Sequence, residues 1–229
     1  MKKKQNSFTI VVIIFSFINV SCSGNILSSL STQQSTQEQA QVDMQNGNYA
    51  DAQSKLQSII SSNSTNYTAV SLLAACYAAE GGVILLNILL NASTSSSLST
   101  ASSNPISFSA SLLPSPTATV LAQMVLATNT MATIPAASMT SDMQLQQQLL
   151  LSIYLFLQMQ SSLAILQAGG TISAAQATQI FSTITNVNSL TGVNSSVLNQ
   201  AISSLTSGVS GSAGGTQAQQ ITNYLTPYI

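Results

Sequence analysis

Outside the first few residues, the side chains able to act as acid, base or nucleophile are Glu38, Asp43, Asp51, Glu80, Asp142, Lys55 and Cys76, with the tyrosines as weaker candidates. General acid–base catalysis needs two such groups held at one reacting atom. The one catalytic pairing that can be built sets Asp43 against Glu80 across stacked helices. Asp51 and Lys55 stand four residues apart, the spacing of a solvated helix pair worth about 0.3–0.5 kcal/mol. Serine and threonine are abundant, but the chain has no histidine to activate them and no G-x-S-x-G elbow. A phosphate loop and a C-x-x-C pair are also absent. No catalytic residue, cofactor or metal site is therefore expected. Charge narrows the field further: 4% of the 229 residues are charged, against about 25% in an average soluble domain. With no arginine to neutralise phosphates, nucleic acid is excluded as a partner.

Lys2, Lys3 and Lys4 precede an apolar run over residues 8–20. A basic start, an apolar stretch and a small residue before the break are the parts of a secretory signal peptide. The run is shorter than the roughly 20 residues that a membrane-spanning helix needs. Val20, Ser21 and Cys22 resemble a bacterial lipobox, in which a peptidase cuts before a cysteine that carries diacylglycerol. Asn19 departs from that pattern, since a leucine or similar residue is usual there. Ser23, in place of an aspartate, resembles outer-membrane sorting in enteric-type bacteria. The resemblance implies removal of 1–21, lipidation (palmitate-type chains) of Cys22 and a lipid-anchored place in the cell envelope at the outer membrane. Processing would leave Lys55 against five carboxylates, a net charge near −4. It would also leave Cys76 with no intramolecular partner, so Cys76 reads as a buried small hydrophobe.

Residues 22–36 read as a lipid-proximal tether and 37–90 as helical. Residues 92–118 are Ser/Thr-rich and hold Pro105, Pro114 and Pro116, the signature of a long loop. Ile106, Phe108, Leu112 and Leu113 would lay that loop against the body. A short helix is predicted over 118–133, ending before Pro135. The longest apolar element is 142–168, with Asp142 placed to cap it and Gly169 and Gly170 to stop it. Residues 149–157 leave almost no polar side, which predicts a central, surrounded helix. Gln144, Gln146, Gln147, Gln148, Gln158, Gln160 and Gln167 break its run below the ~18 apolar residues of a membrane span.

Thr171 or Ser173 can cap a helix carrying Ile180, Ile184 and Val187. Asn194 or Ser195 can cap another carrying Val197, Ala201 and Leu205. Residues 208–215 are glycine-rich, so 208–229 reads as a flexible tail in which Tyr224 and Leu225 can fold back. No segment alternates as a strand would. The expected fold is all-α, a helical bundle over 37–207 with helices across 119–207.

Gly47, Tyr49, Ala52 and Leu56, followed by Leu73, Ala74, Tyr77 and Gly81, resemble a tetratricopeptide (TPR) repeat, a helical hairpin of 34 residues. Gly47 and Gly81 are 34 apart, as are Ala40 and Ala74. The resemblance implies that both glycines close inter-helix turns and that both alanines let helices approach. It covers about 33–82 and ends there, because residues 83–90 lack the expected tyrosine and alanine. A solenoid normally wants three repeats, so the later helices must cover the TPR-like hairpin of 37–90.

Three functions fit. The TPR resemblance implies an envelope-anchored, non-catalytic interaction or scaffold protein that binds a protein partner. A ligand-binding lipoprotein accessory to transport would hold a small apolar ligand in a cavity between 83–90 and 149–157. A surface coat would suit the neutral Ser/Thr/Gln skin.

Overall fold

In a computed structural model of the chain, residues 28–94, 103–190 and 196–229 are described. The expected signal segment 1–21, the expected lipidation residue Cys22 and the expected caps Asn194 and Ser195 lie outside them. Contact density divides the chain into Met1–Ser35 and Thr36–Ile229, and the packing below is that of the second unit. Among the described residues there are ten α-helices and no strand. They are α1 (Ser28–Gln45), α2 (Tyr49–Ser62), α3 (Tyr67–Glu80), α4 (Leu85–Thr94), α5 (Pro105–Leu112), α6 (Ala118–Ala132), α7 (Ser141–Gln167), α8 (Ala174–Ser189), α9 (Ser196–Gly211) and α10 (Gln217–Leu225).

Local chemistry accounts for many of the boundaries. Side-chain oxygens of Asn66, Asn104, Thr117, Thr140, Ser173 and Thr216 each accept an N–H three residues on, satisfying first-turn donors. Ser173 with Gln176 and Thr216 with Gln219 form reciprocal capping boxes. Three helices end alike. At α1, Gly47 N donates to Met44 O and Asn48 N to Asp43 O; Gly82 and Val83 repeat this at α3, and Gly169 and Gly170 at α7. The left-handed residue is Gly47, Gly82 or Gly169, with φ of 77°, 79° and 76°, and glycine carries that conformation without a Cβ penalty.

Helix α7 is the centre of the bundle. Its Leu149, Leu155, Phe156 and Met159 join a core built with α5, α8, α9 and α10. Its Leu150, Ile153, Tyr154 and Leu157 join a second core shared with α3, α4 and α6. A helix that serves two cores needs apolar residues almost all round, which explains residues 149–157. By length and composition α7 could cross a membrane, yet 67% of its most apolar window is buried inside the protein. A third core joins Ala40 of α1, Ala52, Leu56 and Ile59 of α2, and Ala69, Leu73 and Cys76 of α3.

Several expectations are corrected. The helix at 142–168 begins at Ser141, and Thr140, not Asp142, caps it, Asp142 lying in the first turn. From Ser28 the expected tether is helix α1. The loop expected over 92–118 contains α5, because Asn104 caps Ser107 N and Pro105 occupies the first turn, where a missing N–H costs nothing. The tail expected at 208–229 is ordered: α9 runs to Gly211, and α10 buries Ile221 and Leu225 completely. Within 37–90, α4 leaves α3 at 70° instead of folding back along it. The helix packed most extensively along α3 is α6, ahead of α2.

An uncharged groove as the candidate functional site

The motif residues of the hairpin are structural in their placement. Ala40, Ala52, Leu56 and Ala74 are fully buried and Leu73 nearly so. Tyr49 and Tyr77 are half-buried beside the third core, and the Tyr77 hydroxyl accepts from Gln57 Nε2 at 3.0 Å. Gly47 takes its expected turn. Gly81 does not: its φ is −72°, and Gly82 carries the left-handed turn. A Cβ on Gly81 would lie 3.2 Å from both Ala78 O and Gln123 Cβ, so Gly81 serves the close approach of α6 to α3.

The charged candidates do not converge. Lys55 pairs with Asp43 between α2 and α1, in place of the local pair with Asp51. Glu80 accepts from Gln53 Nε2 at 2.6 Å, so Asp43 and Glu80 are engaged separately. Cys76 is fully buried, and its thiol donates to Tyr49 O at 3.5 Å. Burial, with a smaller push from the Glu80 charge and against a lowering hydrogen bond from Gln53, raises its pKa from 9.0 to about 11. At neutral pH it is a protonated thiol, a weak nucleophile. Among the described residues no three His, Cys, Asp or Glu side chains gather to hold a metal.

The apolar space expected between 83–90 and 149–157 is filled. About 10 Å³ remains beside Ile88, Phe108, Ile153 and Phe156. The open space lies on another side of α7, between α6 and α8. There a depression of about 420 Å³ is lined by Asn129, Gln147, Tyr154, Gln179, Asn186 and neighbours. It shares Val125, Tyr154 and Gln179 with a depression of about 200 Å³ nearer the end of α7. It shares Gln147 and Leu190 with one of about 570 Å³ nearer the start. Together they form one groove whose floor runs along α7 from Gln144 to Ser162, roughly 27 Å at 1.5 Å per residue. Among the described residues no charged side chain lines it.

The glutamines of α7 divide between two tasks. Gln146 exchanges hydrogen bonds with Ser71 of α3, its Nε2 donating to Ser71 O at 2.8 Å. Gln160 Nε2 donates to Ser109 Oγ of α5 at 2.9 Å and Gln167 Nε2 to Tyr228 O at 3.3 Å. These three staple α7 to its neighbours. Gln144, Gln147, Gln148 and Gln158 line the groove instead.

Between them Tyr154, 6% exposed, accepts from Gln179 Nε2 of α8 at 2.6 Å. Burial raises the Tyr154 pKa, and the Gln158 and Gln179 amides offset part of the rise. The Gln158 amide influences that hydroxyl without meeting full hydrogen-bond geometry. Its Nε2 and Oε1, like Gln148 Oε1, are buried with no hydrogen-bond partner among the described residues.

The groove-lining residues escape a search for charged or nucleophilic groups. Their signal is a polar stripe at helical spacing, Gln144, Gln147, Tyr154, Gln158 and Ser161, along an otherwise apolar helix. No family model, curated protein or solved structure significantly matches this chain.

Proposed function

We propose that this chain is a lipid-anchored bacterial envelope protein acting as a non-catalytic interaction module, with the groove along α7 as its contact surface. The supporting observation is the pairing of a filled apolar interior with an open, uncharged groove rich in amides and hydroxyls. A groove of this length suits an extended segment of a partner protein, about eight residues at 3.3 Å each. Its neutral hydrogen-bonding groups suit a segment of the same uncharged character. The filled space beside Ile88 and Ile153 argues against a transport accessory that encloses an apolar ligand there. Anchoring rests on the lipobox resemblance at Cys22, and Ser23 supports an outer-membrane address.

Two measurements test the two halves separately. Cys22→Ala in intact cells is expected to lose incorporation of a labelled fatty acid and to move the protein out of the membrane fraction. Unchanged membrane association would overturn the anchor. A photo-crosslinking residue placed at Asn186 on the groove, but not at exposed Ser58 on α2, is expected to give a defined protein adduct. Equal or no adduct at both positions would overturn the groove as the contact surface.

A further inference from the structure

We propose that Gln158 is the binding residue of a carboxamide subsite, which receives a neutral amide, from a side chain or the backbone, of an uncharged protein segment lying in the groove. The inference rests on the groove being the contact surface and adds the chemistry of one position in it. Gln158 is 7% exposed, lines the depression of about 200 Å³, and has both amide atoms buried with no hydrogen-bond partner. A buried polar group left unpaired is costly, and native proteins rarely keep one without a reason.

The amide presents one donor and one acceptor in a plane. Its complement is a second amide, which returns a C=O and an N–H side by side. Rotation about the side-chain bonds of Gln158 toward the groove gives up only its contact with the Tyr154 hydroxyl, which keeps the Gln179 amide as its partner. The same depression supplies Leu121, Val125 and Ile180 as apolar walls, suited to the carbon stem of such a group. The lining contains no charge, so a carboxylate or ammonium would lose its hydration uncompensated. A sugar ring fits less well: Tyr154 is the one aromatic ring in the lining, and it is buried at 6% exposure, leaving little face for stacking.

The test uses the full chain, titrated calorimetrically with the capped neutral peptide acetyl-(Ser-Gln)4-amide. Parallel titrations use its Ser-Glu counterpart and an N-acetylated oligosaccharide. The wild-type protein is expected to bind the Ser-Gln peptide in preference to both. Gln158→Met, of similar volume and apolar, is expected to weaken binding about tenfold or more, the loss of two hydrogen bonds. Because the unbound protein gains an apolar contact where it held an unpaired amide, its Tm is expected to be unchanged or raised by about 2–4 °C. Gln158→Asn, which keeps the amide, is expected to retain part of the affinity.

Equal binding by wild type and Gln158→Met would overturn the subsite, as would preference for the oligosaccharide or a lowered Tm in Gln158→Met. If Asn186 crosslinks to a partner while Gln158→Met leaves that adduct and peptide binding intact, the subsite falls and the groove reading stands. If neither gives a signal, both fall.

Discussion

Gln179 Nε2 of α8 donates to the buried Tyr154 hydroxyl of α7 at 2.6 Å, a hydrogen bond across the groove that ties two of the three helices forming it. Gln179 itself is exposed, so its amide can turn to water if the hydroxyl is removed. Tyr154→Phe is therefore expected to cost only about 0.5–1.5 kcal/mol, the net worth of one such bond. Urea unfolding of Tyr154→Phe, Gln179→Ala and the double variant checks this. A coupling energy near zero would show that the pair does not join α7 to α8.

Gly208 and Gly82 are expected to resist substitution for different reasons. A Cβ on Gly208 of α9 would collide with the Tyr224 ring of α10. Gly208→Ala must displace that ring and should cost about 1–3 kcal/mol. Gly82 has open space, the nearest atoms being Pro114 carbons at 3.9 Å, but its φ is 79°, so Gly82→Ala should cost about 1 kcal/mol through the backbone alone. Near-ultraviolet circular dichroism separates them, the tyrosine signal changing in Gly208→Ala and not in Gly82→Ala.

Alkaline stability should carry the mark of Cys76. The folded state holds the thiol proton more tightly than the unfolded state, with a pKa of about 11 against 9.0. The corresponding stability is whole below pH 9 and is lost as pH rises toward 11, with a slope of up to about 1.4 kcal/mol per pH unit. Tyr154 and Tyr224, whose pKa values burial also raises, act in the same direction at higher pH. Cys76→Ala is expected to flatten the pH 9–11 segment of the stability profile. An unchanged slope in that variant would remove the thiol from the account.

Recognition in the groove should be nearly independent of ionic strength. No described lining residue is charged, and salt screens only charges. The Kd for a partner segment is expected to change less than about twofold between 50 mM and 500 mM salt. A steep loss of affinity would place the contact on the charged α1–α3 face instead.

Much of the fold was legible because helix signals are local. Pro135 and Gly169 mark real ends, Ser173 is the cap of α8, and the largely apolar 149–157 stretch foretells a surrounded helix. Asp142 is the more conspicuous cap candidate in the sequence, but Thr140, two residues earlier, does the capping. Three prolines read as loop, although Pro105 sits in the first turn of α5, where it is tolerated. A glycine-rich stretch at 208–215 hides the Thr216–Gln219 capping box that opens α10. Gly81 and Gly82 are adjacent glycines, and spacing by itself could not assign which takes the turn and which the helix contact. The structure gives the turn to Gly82, 35 residues after Gly47.

By itself, then, the sequence determined the helical class, the central place of α7 and the near-absence of charge after residue 80, where Asp142 stands alone, since periodicity and composition are properties of short windows. The tertiary structure decided that α6, not α4, runs along α3, and that Gln147, Tyr154 and Gln158 share a groove with Asn129 of α6 and Gln179 of α8. Those choices depend on how residues far apart in sequence fill a common volume: Gly81 admitting α6, and Phe108 and Phe156 filling the space where a cavity was expected. Seven glutamines read from the sequence as interruptions of an apolar run. Packing separated them into three staples and four groove residues, because each faces whichever helix lies over its side of α7.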